Sequence, residues 1–270
     1  MLSPLYGQLS PLRIPTAGLG AAQIAANYIA AVEAADGQSL ESAVKTAYEN
    51  FISGLVNDGL WLALKSSCVL VGARTLSGAL VPLIGSAPTN NNFVSADYNR
   101  KTGFKGNGST KFLNTNRLNN SDPQNSKHIS IFQTERCTGA NIVAIGVLVT
   151  SPINRTNIVF SDSINTIRVN NSINTATSVG GGTTSGFKGG SRFSSNQWVS
   201  YRTGNSLTQS VVSSASGNIN TYVFANNSDG AASSYYNGRL AFYSIGEHLD
   251  LALLDTRVSN LMTALAVAIP

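Results

Sequence analysis

From about residue 64 onward the chain gives up helical spacing and breaks into short β-favouring runs separated by turn residues. The runs cover 129–132, 142–150, 156–160, 164–169, 197–202, 207–212, 221–224 and 239–244. Segments of this length cannot bury themselves alone. Many of them at this spacing require a two-layer sandwich or a barrel. Gly204-Asn205, between two runs, is a hairpin signal. Gly180-Gly-Gly182 and Gly189-Gly190 read as flexible loops. No fixed-period repeat points to a solenoid or propeller.

Helical spacing survives at the two ends. Residues 1–16 contain Pro4, Pro11 and Pro15 and read as an extended arm. Residues 17–35 are Ala-rich, with Ile24, Tyr28 and Val32 four apart. Leu40, Val44, Ala47, Tyr48, Phe51 and Leu55 form the best amphipathic stripe, with Ser39 as the expected N-cap and Asn57-Asp58-Gly59 as the stop. Leu254, Val258, Leu261 and Leu265 form a last stripe that can pack within the chain or on another copy. The expected organisation is therefore 1–38 arm and Ala-rich helix, 39–66 amphipathic helix and connector, 67–247 β-sandwich and 248–270 C-terminal helix. The apolar stretch 60–85 is broken by Lys65, Arg74 and Pro82, and the start lacks a basic n-region. No membrane insertion and no secretory signal are expected.

Charge narrows the function classes. Charged residues make up 11% of the chain, against about 25% in an average soluble domain. Between Ser86 and Gly246 there are 13 Lys and Arg but only five acids, Asp97, Asp122, Glu135, Asp162 and Asp229. A sandwich glycosidase needs two carboxylates roughly 5–10 Å apart. The simplest placement, acids at i and i+2 or i+4 of one strand, does not occur here. His128 and His248 are far apart and read as surface or capping residues. No nucleophile–base motif, phosphate loop or dinucleotide fingerprint is present. Cys68 and Cys137 lack metal-ligand spacing and read as free buried thiols. Asp162 and Asp229 are the better calcium candidates among the loop acids, but both also fit ordinary turns. No metal or other cofactor is assigned.

The basic residues are scattered, without a nucleic-acid-binding motif, so nucleic acid is not the expected partner. A diffuse positive face suits an anionic glycan, a lipopolysaccharide or an acidic protein surface. Arg192, Trp198, Tyr201 and Arg202 are the candidate ligand contacts. Trp198 and Tyr201 are an odd distance apart, so a regular strand points them to opposite sides and one belongs to the core. Tyr235-Tyr236 is a second candidate aromatic patch.

Phe104-Lys-Gly-Asn-Gly-Ser-Thr-Lys-Phe-Leu113 resembles the early-strand signature of laminin-G-like, concanavalin-type sandwiches, and 238–246 looks like their last strand. With 51–61, 72–80 and 245–257 around them, the layout over residues 45–265 resembles laminin-G-like structural proteins of tailed bacteriophages. The resemblance implies a mainly β, antiparallel two-sheet jelly-roll sandwich with N-terminal helices and a C-terminal helix. It also implies a virion protein of fibre or spike type that attaches to host-surface glycan. Its partners would be other virion proteins and a host polysaccharide; the Ala-rich and heptad-like helices point in addition to further copies of itself, expected as a trimer. A capsid decoration, cement or adaptor protein is the alternative, and a polysaccharide-degrading enzyme ranks below both. Such domains frequently bind sugars and calcium; the scarcity of acids here departs from the calcium pattern.

Overall fold

The computed structural model describes residues 20–161, 165–173 and 185–270. The arm at 1–16, Asp162 and Gly180-Gly-Gly182 lie outside the described residues. Helix α1 (Ala21–Asp36) buries Ile24, Tyr28 and Val32, and α2 (Ser42–Asn57) buries Val44, Ala47, Tyr48, Phe51, Ile52 and Leu55. The expected stripes thus form, and Tyr28 meets Tyr48 edge-on at 5.3 Å. The cap differs from expectation: Glu41, not Ser39, is the N-cap of α2. Arg74 and Arg100 hold the Glu41 carboxylate, while the Ser39 carbonyl accepts from Arg74 Nε. This pairing ties the helix start to the loop after the first strand, which fixes the helix two residues later than the capping pattern suggests.

That first strand is β1 (Leu64–Val69), followed by a single helical turn, α3 (Leu76–Ala79). Short strands come next: β2 (Pro82–Ile84), β3 (Thr89–Asn91), β4 (Tyr98–Asn99) and β5 (Gly103–Lys105). The longer strands are β6 (Phe112–Leu118), β7 (Lys127–Glu135), β8 (Ile142–Thr150), β9 (Ile153–Phe160), β10 (Asn165–Asn171) and β11 (Gly186–Arg192). Then follow β12 (Gln197–Arg202), β13 (Asn205–Ser210), β14 (Asn220–Val223), β15 (Asn226–Ser228), β16 (Ala231–Ser233) and β17 (Arg239–Gly246), and finally α4 (Leu251–Ala268).

The strands form two sheets. The larger runs β13-β12-β11-β7-β17-β1-β2, with β5 also on β17 and β4 on β5. The smaller runs β10-β9-β8-β14-β6-β3, and β15, hydrogen-bonded to β16, joins β8 by a parallel pairing. This is the sandwich read from the sequence. The β12–β13 hairpin turns through Thr203-Gly204, with Arg202 opposite Asn205 and φ +78° at Gly204, a conformation open to glycine.

The helices form a third layer on the outer face of the larger sheet. Phe51 of α2 packs edge-on against Phe242 of β17 at 6.1 Å. Gly189-Gly190 shows why this matters. The pair is no loop: it lies in the middle of β11, with both residues buried. A Cβ on Gly189 would sit 2.9 Å from Leu251 of α4, and one on Gly190 would sit 2.6 Å from Val169 and 2.8 Å from Ile167 of the smaller sheet. The strand is squeezed from both sides, so glycine here marks close approach of layers instead of flexibility.

Helices and sandwich share one continuous apolar core. The α4 stripe Leu254, Val258, Leu261 and Leu265 is buried in it. Arg257 donates to both carboxylate oxygens of Asp58, at 2.7 and 2.8 Å, beside Gly54 of α2. Among the described residues, α4 is the helix long and apolar enough to cross a membrane by length and composition; here one face of it is packed on its own chain. Cys68 and Cys137 are free and buried, as expected.

The basic excess is not a diffuse surface face. Lys127, Lys188 and Arg192 have no exposed area and Arg168 only 7%. Arg100, Lys105, Lys111, Arg117 and Arg239 stand in ion pairs with Glu41, Glu135, Asp97, Asp122 and Glu135. Lys127 donates to the main-chain oxygen and the Oδ1 of Asn119, and Lys188 to Gln133 Oε1 at 2.8 Å while lying over the Phe160 ring. The sandwich interior is therefore polar where its two sheets meet at these strands, and amides and carbonyls carry the buried cations.

Candidate functional site

Two of the four expected contacts belong to the interior. Arg192 points from β11 into the sandwich. Its Nε donates to Val169 O at 2.8 Å, Nη1 to Val211 O at 3.0 Å and Ser194 O at 3.2 Å, and Nη2 to Asn171 Oδ1 at 2.9 Å. Desolvation pushes its pKa down to about 10. Trp198 is fully buried, with its ring 3.4 Å from where a Gly190 Cβ would stand. Neither reaches a ligand at the surface. Tyr201 does face the opposite side from Trp198, as its spacing requires, but that side is covered too, by α4. Arg202 lies half-buried at the end of β12.

Tyr201 nonetheless borders an open groove of about 390 Å³ between the β12–β13 hairpin and the start of α4, shared with Val199, His248 and Asp250. Its hydroxyl donates to Asp255 Oδ2 at 3.1 Å and accepts from Gly204 N at 2.9 Å. His248, exposed at the strand-to-helix corner as expected, lies 2.8 Å from Ser191 Oγ. The proton arrangement defines what this pair can do. Ser191 Oγ donates to Leu249 O at 2.9 Å, so the imidazole must donate to Ser191 through Nδ1–H. A histidine that gives its proton to a serine cannot also deprotonate it. The pair is a fixed corner, not a nucleophile and its base. Asp250 is likewise occupied, as the α4 N-cap accepting from Ala252 N and Leu253 N.

His128 departs from the surface role expected of it. It has no exposed area. Glu247 O, an acceptor only, lies 2.6 Å from Nδ1, so the proton is on Nδ1, and Nε2 accepts from Ser244 Oγ at 3.0 Å. Burial lowers its pKa to about 4.

A second surface lies on the outer face of the smaller sheet. Leu113 and Val223 pair and point inward, fully buried. Alternation then turns their neighbours Phe112 and Tyr222 outward. The two rings lie 4.7 Å apart, and Tyr235 meets Phe112 at 6.2 Å. All three are half-buried and form one aromatic strip. Of the Tyr235-Tyr236 pair, therefore, Tyr235 belongs to a surface patch; Tyr236 is core, with its hydroxyl taken by Gln133 Nε2 at 2.6 Å. Beside the strip the sheet turns polar: Asn157, Arg155, Arg168, Thr166 and Asn226 border a pocket of about 210 Å³. None of these stood out in the sequence. The usable signal is cross-strand parity: once Leu113 and Val223 are known to pair inward, Phe112 and Tyr222 follow.

Among the described residues several carboxyls are employed structurally. Asp36 accepts from the Arg74 and Thr75 main chain, Asp122 pairs with Arg117, and Asp229 accepts from Thr150 N and Oγ1 at 3.0 and 2.7 Å. Asp229, the weak calcium candidate, is thus a satisfied turn residue. Every displaced carboxyl among the described residues is displaced downward: Glu33 by Lys45, Glu41 to about 2 by Arg100, Asp58 by Arg257, Glu135 by Lys105 and Asp229 by Thr150. Among the described residues no three His, Cys, Asp or Glu side chains cluster as a metal site.

No family model matches the chain, and no curated protein matches it. Among solved structures it is similar to the NanB sialidase of Streptococcus pneumoniae. A point mutant of that enzyme aligns at 14% identity and a TM-score of 0.44 over 57% of this chain and 27% of that one. An arabinofuranosidase complexed with arabinofuranosyl-alpha-1,2-xylobiose aligns at 8% identity and a TM-score of 0.35 over 60% and 40%. The chain thus spans about a quarter of the sialidase chain it matches.

Proposed function

We propose that this protein is a tailed-phage virion component of fibre or spike type whose sandwich attaches to host-surface glycan. The observation that carries the reading is the outward aromatic strip Phe112–Tyr222–Tyr235 beside a polar, amide-rich pocket. Aromatic faces stack on the apolar faces of sugar rings, while fixed amide and guanidinium groups take the hydroxyls. The mechanism is binding without bond cleavage. Each site contributes a weak contact, and several copies in a homo-oligomer, here a trimer, raise the avidity.

The alternative, a decoration or adaptor protein on an acidic capsid lattice, needs an exposed basic face. The burial and pairing of most of the basic residues weigh against it. Cryo-electron microscopy of the intact particle that carries the chain tests the choice. Density for the sandwich at a projecting tip is the expected result. Density lying flat on the capsid lattice would replace attachment by decoration.

A further inference from the structure

The larger sheet ends in an open edge. Strand β13 pairs with β12 on one side and, among the described residues, with no strand on the other. Its 6 residues, Asn205–Ser210, hold no charge and no proline, and the pairing with β12 runs without a bulge. Sheet edges are ordinarily blunted by such devices or by shortness, because an unblunted one recruits another strand. The other ends of the two strand orders are blunted. β2 has 3 residues and opens with Pro82, and β3 has 3 residues. β10 breaks register after Arg168 and is bridged from Asn171 to Ser213.

The hairpin fixes which groups on the β13 edge are free. Both turn residues have positive φ, 23° at Thr203 and 78° at Gly204, as a tight two-residue turn requires. Such a turn makes Arg202 and Asn205 a hydrogen-bonded pair, and the antiparallel alternation repeats it at Ser200–Leu207 and Trp198–Gln209. The main-chain N–H and C=O groups of Ser206, Thr208 and Ser210 therefore point away from β12, toward solvent. The Ser206 side chain shares the groove side of the sheet with Tyr201. Leu207 takes the opposite face and is 48% exposed.

A second copy of the same strand would satisfy these groups. Around a two-fold axis at Thr208, Ser206 faces Ser210 of the second copy and Thr208 faces its own counterpart, so each free N–H meets a free carbonyl. An axis at Leu207 or Gln209 would instead oppose groups already bonded to β12. A two-fold also sets a charge on the strand close to its own copy, and this strand carries none. Leu207 would lie opposite Gln209 of the second copy and diagonal to the second Leu207, which covers its exposed surface.

We propose that β13 is a two-fold interface at which two copies of this chain join their larger sheets edge to edge, antiparallel and centred on Thr208. The contact is separate from the three-fold association of the attachment reading and does not rest on it. It pairs chains whether these are single or already grouped in threes.

Sedimentation velocity of the full chain across the attainable concentration range tests the interface. The wild type is expected to run as an even number of chains at high concentration and to halve on dilution. Thr208→Lys sets two ammonium groups opposite one another. Thr208→Pro removes an N–H that β12 does not use. Thr208→Val keeps the strand and serves as control. The lysine and proline variants, with thermal transitions like the wild type, are expected to raise the dissociation constant by roughly tenfold or more, and the valine variant to stay within about twofold. Should Thr208→Pro unfold, Thr208→Lys decides. A wild type that stays a monomer or a plain trimer at every concentration overturns the interface, as do folded lysine and proline variants that assemble as tightly as the wild type. A hexamer that falls to a trimer supports the edge contact alongside the three-fold one. A dimer that falls to a monomer supports the edge contact and removes the three-fold one.

Discussion

Arg192→Ala separates an interior bolt from a surface contact. The guanidinium makes four hydrogen bonds, three of them to main-chain oxygens of Val169, Ser194 and Val211, from a position with no exposed area. Its charge is not what stabilises, because desolvation already lowers its pKa. The contribution lies in the carbonyls it satisfies and the volume it fills between β10, β11 and the chain after β13. Truncation leaves three acceptors without their donor, each costing about 1–3 kcal/mol, offset in part by relief of the buried charge. The expected loss is about 3–5 kcal/mol, which in a protein of this size lowers Tm by roughly 6–20 °C. Differential scanning calorimetry of the full chain reads it directly. Lys101→Ala, at an exposed turn, is the control and is expected to stay within about 0.5 kcal/mol of wild type. Well below its own Tm, the Arg192 variant is expected to keep its glycan affinity. An unchanged Tm together with weakened glycan binding would refute the reasoning and return Arg192 to the surface.

Other predictions follow from the same packing. His128 is held neutral in the fold with a pKa near 4, whereas the unfolded chain takes up the proton near 6.5. The unfolded state therefore binds more protons across that window, and stability falls as pH drops from about 6.5 to 4, by about 3 kcal/mol in total. Urea midpoints measured across this range are expected to decline in the wild type and to flatten in His128→Gln; parallel slopes would count against the buried neutral imidazole. Gly190→Ala drives a methyl against Val169 and Ile167 and is expected to destabilise by about 1–3 kcal/mol; a neutral result by thermal melt would mean the two sheets are not in close contact at β11.

The layers were legible in unequal measure. The 197–202 and 142–150 runs appear with the bounds read from the sequence, and the Gly204-Asn205 signal marks a real hairpin, because alternation and turn chemistry are local properties. The β11 strand escaped notice because Gly189-Gly190 carries no side-chain pattern; only the presence of layers on both sides explains those residues. The same double coverage defeated the choice of Arg192 and Trp198. Polar residues in a strand normally face water, but here the interior between β7, β10 and β11 is built from amides, carbonyls and buried cations. The α4 stripe fitted self-association as well as packing within the chain; the bidentate Arg257–Asp58 pair and the shared core settle on the chain itself for that face. Of the candidate surface, only Tyr235 was visible beforehand, since Phe112 and Tyr222 meet across strands 110 positions apart in the chain.

The central claim is that the smaller sheet's aromatic strip grips a host-surface glycan. Titration of purified host polysaccharide into the full-length wild type and into Phe112→Ala and Tyr222→Ala, each checked for an intact thermal transition, addresses it most directly. Saturable binding by the wild type, weakened at least tenfold in both variants without release of new reducing ends, is the predicted result; losing one ring of the stacked pair removes about 1–3 kcal/mol of contact. Binding unaffected by either substitution would contradict the account, as would progressive cleavage of the polymer.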